Sequence, residues 1–347
     1  MKKFLVITMM ACGMNAQAQY LSQSTGDSND PGYFKHLDVS LTAGTSGIGF
    51  DVATQLGNYV QLRAGYEFMP QIHVGVNFPV AVGGESAVKY DANGNRVESR
   101  FDRLAKILKE FTGYDVDDHV EMIGKPTMNN FKLLVDVFPF KNNKHWHFTA
   151  GFYLGPTQFA RADNSIDAMN SLFAVGMYNH IYDRVENAWN TGDPIMDITI
   201  GGQRFTPELN PNQEQAILKN GRMGFTLGQY KEDIYSESGL LIHKKGDPYV
   251  LEPGPDNQVH VYAKSNVFKP YLGFGYGGRL VKNRDDWKVS FDAGLMFWGK
   301  PDLYTHDGTN LAKDIENIKG KPGDYVDFIK GLYVYPMVSV RFTKTIF

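Results

Sequence analysis

Cysteine is almost missing from this chain. Cys12 is the one example in 347 residues, and it lies within an N-terminal stretch that reads as a cleavable leader. Lys2 and Lys3 form a short positive region, Phe4 to Met14 an apolar one, and Ala16-Gln17-Ala18 a small-residue cleavage site, which predicts a signal peptide over 1–18 and a mature start at Gln19. A competing reading makes Cys12 a lipid-modified residue after Met9-Met10-Ala11, but it sits early for that role. Cleavage after Ala18 removes disulfides, cysteine–zinc sites and thiol nucleophiles together.

Long apolar runs are lacking too. None approaches the ~18 residues of a membrane helix. The formal charge is −3 and the pI about 6.3, so the basic footprint of a nucleic-acid binder is absent. Gly-x-Ser-x-Gly, His-Glu-x-x-His and the glycine-rich phosphate loop ending in Gly-Lys-Ser or Gly-Lys-Thr do not occur. No catalytic residue, cofactor or firm metal site is therefore assigned.

What is present is glycine and aromatics, with Gly 36, Tyr 19 and Phe 23, in segments that alternate with period two. Leu37, Val39, Leu41 and Ala43 alternate with Asp38, Ser40 and Thr42. Past Gly44 to Gly47, Ile48, Phe50 and Val52 oppose Gly49, Asp51 and Ala53. Val60 to Phe68, Lys132 to Val137, Trp146 to Leu154, Leu272 to Tyr276, Val289 to Phe297 and Val334 to Phe342 repeat the pattern. These eight segments approach the ~9–11 residues of a tilted membrane strand. Short turns at Gly57, Asn142 and 282–285 alternate with the tight Gly44–Gly47 turn and three long excursions, over 70–129, 156–267 and 300–330. That parity predicts an all-β fold: an eight-stranded antiparallel transmembrane up-and-down β-barrel over 37–347, with long, partly helical extracellular loops and a periplasmic tail over 19–36. A soluble lipocalin-like barrel also alternates; glycines 151, 155, 273, 275 and 277 on the less apolar face favour a crowded lumen and a lipid-facing exterior.

Several of these segments also carry a family resemblance: Gly44-Thr45-Ser46-Gly47-Ile48-Gly49, Leu62-Arg63-Ala64-Gly65-Tyr66 with Met69-Pro70, Leu134 to Phe140, His147 to Gly151, Lys269 to Gly277 and Val334 to Met337. In order, they resemble a Bacteroidota family of outer-membrane barrels related to the OmpA-type eight-stranded membrane domain. The peptidoglycan-binding domain that larger OmpA-type proteins append is not expected here. The resemblance implies an outer-membrane location and no established activity, so it transfers no functional residue. The last strand, ending at Phe347, resembles a signal for the barrel-assembly machinery, with outer-membrane lipid and an unidentified extracellular molecule as the other partners.

The less apolar face collects Asp51, Glu67, Asp136 and Asp292 with Arg63, Lys132, Arg279, Lys288 and Arg341. Lining a lumen, these charges must pair, since an unpaired buried ion costs several kcal/mol. They form either a salt-bridged plug or an ion path, and eight strands enclose a space that side chains just fill. His145 and His147 read as an inward-facing polar pair rather than metal ligands. Asp91, Asn93 and Asn95 resemble half a calcium loop, but Arg96 stands where that loop needs glycine and Asp102 where it needs glutamate, so an Asn-Gly turn is expected. The glycine loop from Thr42 to Gly49 nearly matches a dinucleotide fingerprint, yet period-two alternation follows it and no Tyr-x-x-x-Lys appears. Amphipathic helices are predicted from about Ser99, on Phe101, Leu104, Ile107, Leu108 and Phe111, and through Ile166, Met169, Phe173, Met177, His180 and Trp189. Strands are predicted over 195–205 and 251–263. The leading expectation is a non-enzymatic barrel anchoring a folded surface cap for binding or envelope integrity. A narrow porin and an outer-membrane hydrolase are the alternatives.

Overall fold

In a computed structural model, residues 36–200, 203–206, 208–282 and 284–347 are described. The leader, Cys12 and nearly all of the 19–36 tail lie outside the described residues. Eight antiparallel strands close a barrel: β1 (Leu37–Gly44), β2 (Gly47–Gln55), β3 (Val60–Phe68), β4 (Asn129–Val137), β5 (Trp146–Leu154), β6 (Phe268–Val281), β7 (Arg284–Phe297) and β8 (Val334–Thr345). Each strand pairs with its sequence neighbours, and β1 returns to β8 with Asp38 opposite Thr345 and Gly44 opposite Ser339. Closure leaves no unpaired barrel edge. The near-dinucleotide motif forms the β1–β2 hairpin, where Gly44 faces Gly47.

The alternation sorts side chains as the period requires. Leu41 (64% exposed), Phe50, Phe148, Leu272 (58%), Phe274, Phe291, Val338 and Phe342 point outward. Asp38, Ser40, Asp51, Arg63, Glu67, Lys132, Asp136 and Arg341 are buried inside. A water-soluble barrel has the reverse distribution. Outward aromatics mark both rims: Tyr59, Phe140 and Trp146 at the short-turn end, Phe68, Phe131 and Phe268 at the other. Such girdles flank the apolar band of membrane barrels.

Above the second rim five strands resume after short breaks. β3 is continued by Val74–Val82, β4 by His119–Pro126, β5 by Gln158–Asn164, β6 by His260–Lys264 and β7 by Asp302–Thr305. The extensions pair in the same order as the strands below them. β1 and β2 stop at their hairpin. Over β8 stands a helix, α4 (Gly320–Gly331), instead of a strand. The far half of Val74–Val82 turns to pair with Met223–Tyr230, which in turn pairs with Pro248–Leu251 and Ile315–Glu316. The curled sheet is tied across its ends by Tyr249, whose hydroxyl lies 2.9 Å from Thr305 Oγ1 and donates to Asp307 Oδ2 at 2.8 Å. Burial, then the Asp307 carboxylate, pushes the Tyr249 hydroxyl well above the usual tyrosine range.

Three further helices cover the cap: α1 (Arg100–Thr112), α2 (Met169–Thr191) and α3 (Pro211–Asn220). α1 starts where expected, through a capping box between Ser99 and Asp102, and buries Phe101, Leu104 and Leu108. Ile107, expected on that face, is exposed. α2 corrects the predicted stripe: Leu172, Val175, Tyr178 and Val185 are buried beside Met177, whereas Ile166, Met169 and Trp189 are exposed. Buried Asn179 explains the different phase, because its side chain exchanges hydrogen bonds with the Met223 backbone at 2.7 and 2.9 Å. The predicted 195–205 strand is a short hairpin, Ile198–Ile200 with Gln203–Phe205, and the 251–263 stretch divides between Pro248–Leu251 and His260–Lys264.

If the outer face meets lipid, Leu272→Arg lowers folding stability in lipid vesicles by about 2–4 kcal/mol. A denaturant titration read from the unboiled gel band measures it. A change under ~0.5 kcal/mol, ordinary for a water-exposed site, contradicts a lipid-facing surface.

Candidate functional site

The barrel interior is the most highly charged buried region. Lys132 on β4 places Nζ 2.7 Å from Asp51 Oδ1 on β2 and 2.5 Å from Glu67 Oε1 on β3. Arg63 on β3 reaches Asp136 Oδ1 at 3.0 Å and Asp51 Oδ2 at 3.9 Å. Arg341 on β8 pairs with Asp136 Oδ2 at 3.2 Å and Asp292 Oδ2 at 3.3 Å. Thr149 donates to Asp136 Oδ1 at 2.7 Å, and His147 Nε2 lies 2.7 Å from Asp292 Oδ1. None of the ionic side chains exceeds 7% exposure, so each must find its counter-charge across the lumen.

Packing inside the barrel leaves no room for a Cβ at several inward glycines, and at two of them the obstacle is a network carboxylate oxygen. At Gly65 the Cβ would overlap Asp51 Oδ1, and at Gly275 it would overlap Asp292 Oδ1. Glycine therefore allows carboxylates on neighbouring strands to cross its own backbone.

Two further layers lie along the axis. Toward the cap, Met128, Leu134, Tyr153, Tyr271, Met296, Trp298 and Met337 form an apolar stopper. Tyr153 meets Tyr271 edge-on at 5.5 Å, and Trp298 packs on Phe159 at 4.5 Å and Tyr335 at 4.8 Å while donating Nε1–H to Leu332 O at 2.6 Å. Toward the short turns, a 260 Å3 vestibule is lined by Asp38, His147 and Arg341 together with Lys144, His145 and Lys288.

Seven of the nine residues expected in the lumen network thus come together: Asp51, Arg63, Glu67, Lys132, Asp136, Asp292 and Arg341. Two depart from it. Arg279 is exposed and pairs with Asp285 at the end of the β6–β7 hairpin, and Lys288 is half-buried in the vestibule wall. Both keep the inward parity, but β6 and β7 are 14 residues long and carry them beyond the enclosed lumen. Sequence reasoning missed the His147–Asp292 contact, fully buried Lys269 and the Tyr153–Tyr271 layer. Parity alone was a usable signal for the last two, since Tyr153 follows Gly151 by two residues and Lys269 precedes Tyr271 by two.

The calcium-like segment is a turn. Asp91 Oδ1 accepts backbone N–H groups from Asn93 at 2.9 Å and Asn95 at 2.8 Å, directing the carboxylate into its own loop. These contacts, led by the Asn95 backbone N–H, hold the Asp91 carboxyl below its usual range. Among the described residues, no three His, Cys, Asp or Glu side chains gather as a metal set.

No family model matches the chain, and no curated protein matches it. Solved structures are matched at low identity and with TM-scores below 0.5. CarO2 of Acinetobacter baumannii is 13% identical over 90% of this chain and 99% of its own, with a TM-score of 0.36. CarO of the same organism is 13% identical over 88% and 96%, TM-score 0.35. A major outer membrane protein of Thermus thermophilus is 10% identical over 89% and 98%, TM-score 0.25.

Lys132→Met leaves Asp51 and Glu67 buried with one cation fewer and is expected to cost about 3–5 kcal/mol. The shift in urea midpoint of the refolded protein reports it. An unchanged midpoint would show that the network bears no load.

Proposed function

We propose that this chain is an outer-membrane protein whose barrel is a sealed anchor for the folded cap, with the short turns in the periplasm and the cap at the cell surface. The observation that carries the reading is the inverted barrel: apolar side chains cover the outside while paired charges fill the inside. An apolar surface this extensive on a soluble monomer is a site for lipid or a partner. Rim aromatics and strands of 8 to 14 residues fit the dimensions of a bilayer. The ordered resemblance of the strand segments to Bacteroidota barrels supports the same location, with a leader peptide supplying export.

The sealed lumen favours an anchor over a narrow porin. An ion crossing the barrel meets first the Arg341–Asp136–Arg63 layer, whose two cations are tied also to Asp292 and Asp51, and then the Tyr153–Tyr271–Trp298 stopper. Displacing either requires breaking buried pairs or opening close-packed aromatics. The cap, with its own apolar core, has the solidity of a recognition domain rather than of a loose set of loops.

In planar bilayers the purified protein is expected to give no discrete conductance steps. On gels the unboiled protein from outer membranes is expected to migrate apart from the boiled form. Reproducible single-channel steps would replace the anchor with a pore, and a soluble protein lacking the gel shift would remove the membrane reading altogether.

A further inference from the structure

The cap contains a second cavity of different chemistry. It measures about 150 Å3 and lies between the concave face of the cap sheet and α4. Val76, Phe78, Met122, Leu227, Val261 and Leu303 line it from the sheet, with Val326 and Ile329 closing it from the helix. Arg161 also borders it, but strand alternation turns that side chain to the convex face, where it pairs with Asp163 and lies over Tyr262. No charged side chain thus enters the space. An apolar cavity of this size and lining accepts an apolar guest, whereas a water needs polar partners.

Small residues create the space. Gly124, Ala160, Ala162 and Ala263 stand on adjacent strands where larger side chains would meet. At Gly124 an added Cβ would come no nearer than 3.5 Å to any atom, so the backbone there has room for a side chain. The cavity is a property of the sequence and not of crowding.

The location identifies the guest. Val74, Gly124, Ala160, Ala263, Leu303 and Ile329 each lie five or six residues from the barrel strand they extend or precede. At ~3.3 Å per residue, the cavity sits within about 20 Å of the barrel rim. Val74 and Tyr325 line the cavity and are themselves partly exposed, and Ile72 and Phe328 (65%) are exposed beside them. Phe68, at the barrel rim on β3 below them, is exposed as well, and on this side β1, β2 and β8 have no strand extension.

We propose that this cavity is a binding site for one acyl chain of a single-chain fatty acid, entering beside α4 with its carboxylate left at the mouth. The proposal rests on the outer-membrane reading, because a lipid source lies next to the cavity only if the barrel stands in a membrane. The segment taken up is short, since a guest of roughly benzene size fills a cavity of this volume.

The test uses the full-length protein in nanodiscs with a diazirine-bearing decanoic acid, photolysed, digested and mapped by mass spectrometry. Label is expected on 74–82 and 320–331, and it is expected to fall at least tenfold in Gly124→Leu and in Ala162→Phe, each first shown to keep its unboiled gel mobility. Absence of label on those segments, or equal labelling in both filled variants, overturns the acyl site. Peptides from the outward face around Leu272 report the bilayer separately. If they carry no label and no gel shift is seen, the membrane reading itself has failed, and the site proposed upon it falls with it.

Discussion

A charge inside a closed barrel has no water to retreat to and no sheet edge to escape through, so its counter-charge must come from another strand. Asp51, Arg63, Glu67, Lys132, Asp136, Asp292 and Arg341 meet that demand by joining β2, β3, β4, β7 and β8 through the lumen. His147 adds β5 through Asp292. Backbone hydrogen bonds hold neighbours around the wall, while these pairs act across it. The arrangement dictates sequence elsewhere: the glycines at 65 and 275 are needed because a carboxylate crosses each of them.

The inward face changes chemistry where the strands leave the barrel. Below the rim it is ionic, and above it the cap sheet presents Val76, Met122 and Val261. Met128, Tyr153, Tyr271 and Trp298 occupy the transition. Aromatic side chains suit that boundary because each offers a broad apolar body with one polar atom to satisfy, as Trp298 does against Leu332 O. Apolar core and buried ion network would each be destabilised by direct contact, the first by an unpaired polar surface and the second by loss of partners. The stopper keeps them apart.

The barrel was legible in the sequence because each strand separates two solvents. Leu37 to Ala43 or Val60 to Phe68 alternates cleanly when one face meets an apolar exterior and the other a polar interior. The cap strands lack that contrast. Val74–Val82 buries Val80, Ala81 and Val82 consecutively and includes Pro79 at the point where its partner changes from His119–Pro126 to Met223–Tyr230. Gln158–Asn164 shifts register between Gln158 and Ala160, so parity counted from β5 does not carry through. α2 has polar Asn179 and Ser171 on its buried face, which blurs a stripe drawn from hydrophobic residues alone. In the lumen, parity locates the charged residues but not how far the enclosed space reaches, so Arg279 and Lys288 share the inward parity without sharing the network.

The departure at β8 is also written locally. A strand continuing upward from Val334 would complete the cap wall, yet the chain before it reads Gly320-Lys321-Pro322-Gly323. Proline suits a first helical turn, where its missing N–H has no partner to lose, and cannot donate to a sheet ladder. At Gly323 a Cβ would overlap the carbonyl oxygen of Ile318, so only glycine lets the new helix fold back tightly on the segment leading into it. That tight start directs Pro322, Val326 and Ile329 toward the concave sheet and leaves Phe328 outside. Over β8 the cap is therefore closed by a helix held through apolar packing, while the extensions of β3 to β7 are held through strand hydrogen bonds. Packing without a ladder can adjust by side-chain movement alone, and this makes the α4 face the part of the cap best suited to accommodate an apolar chain.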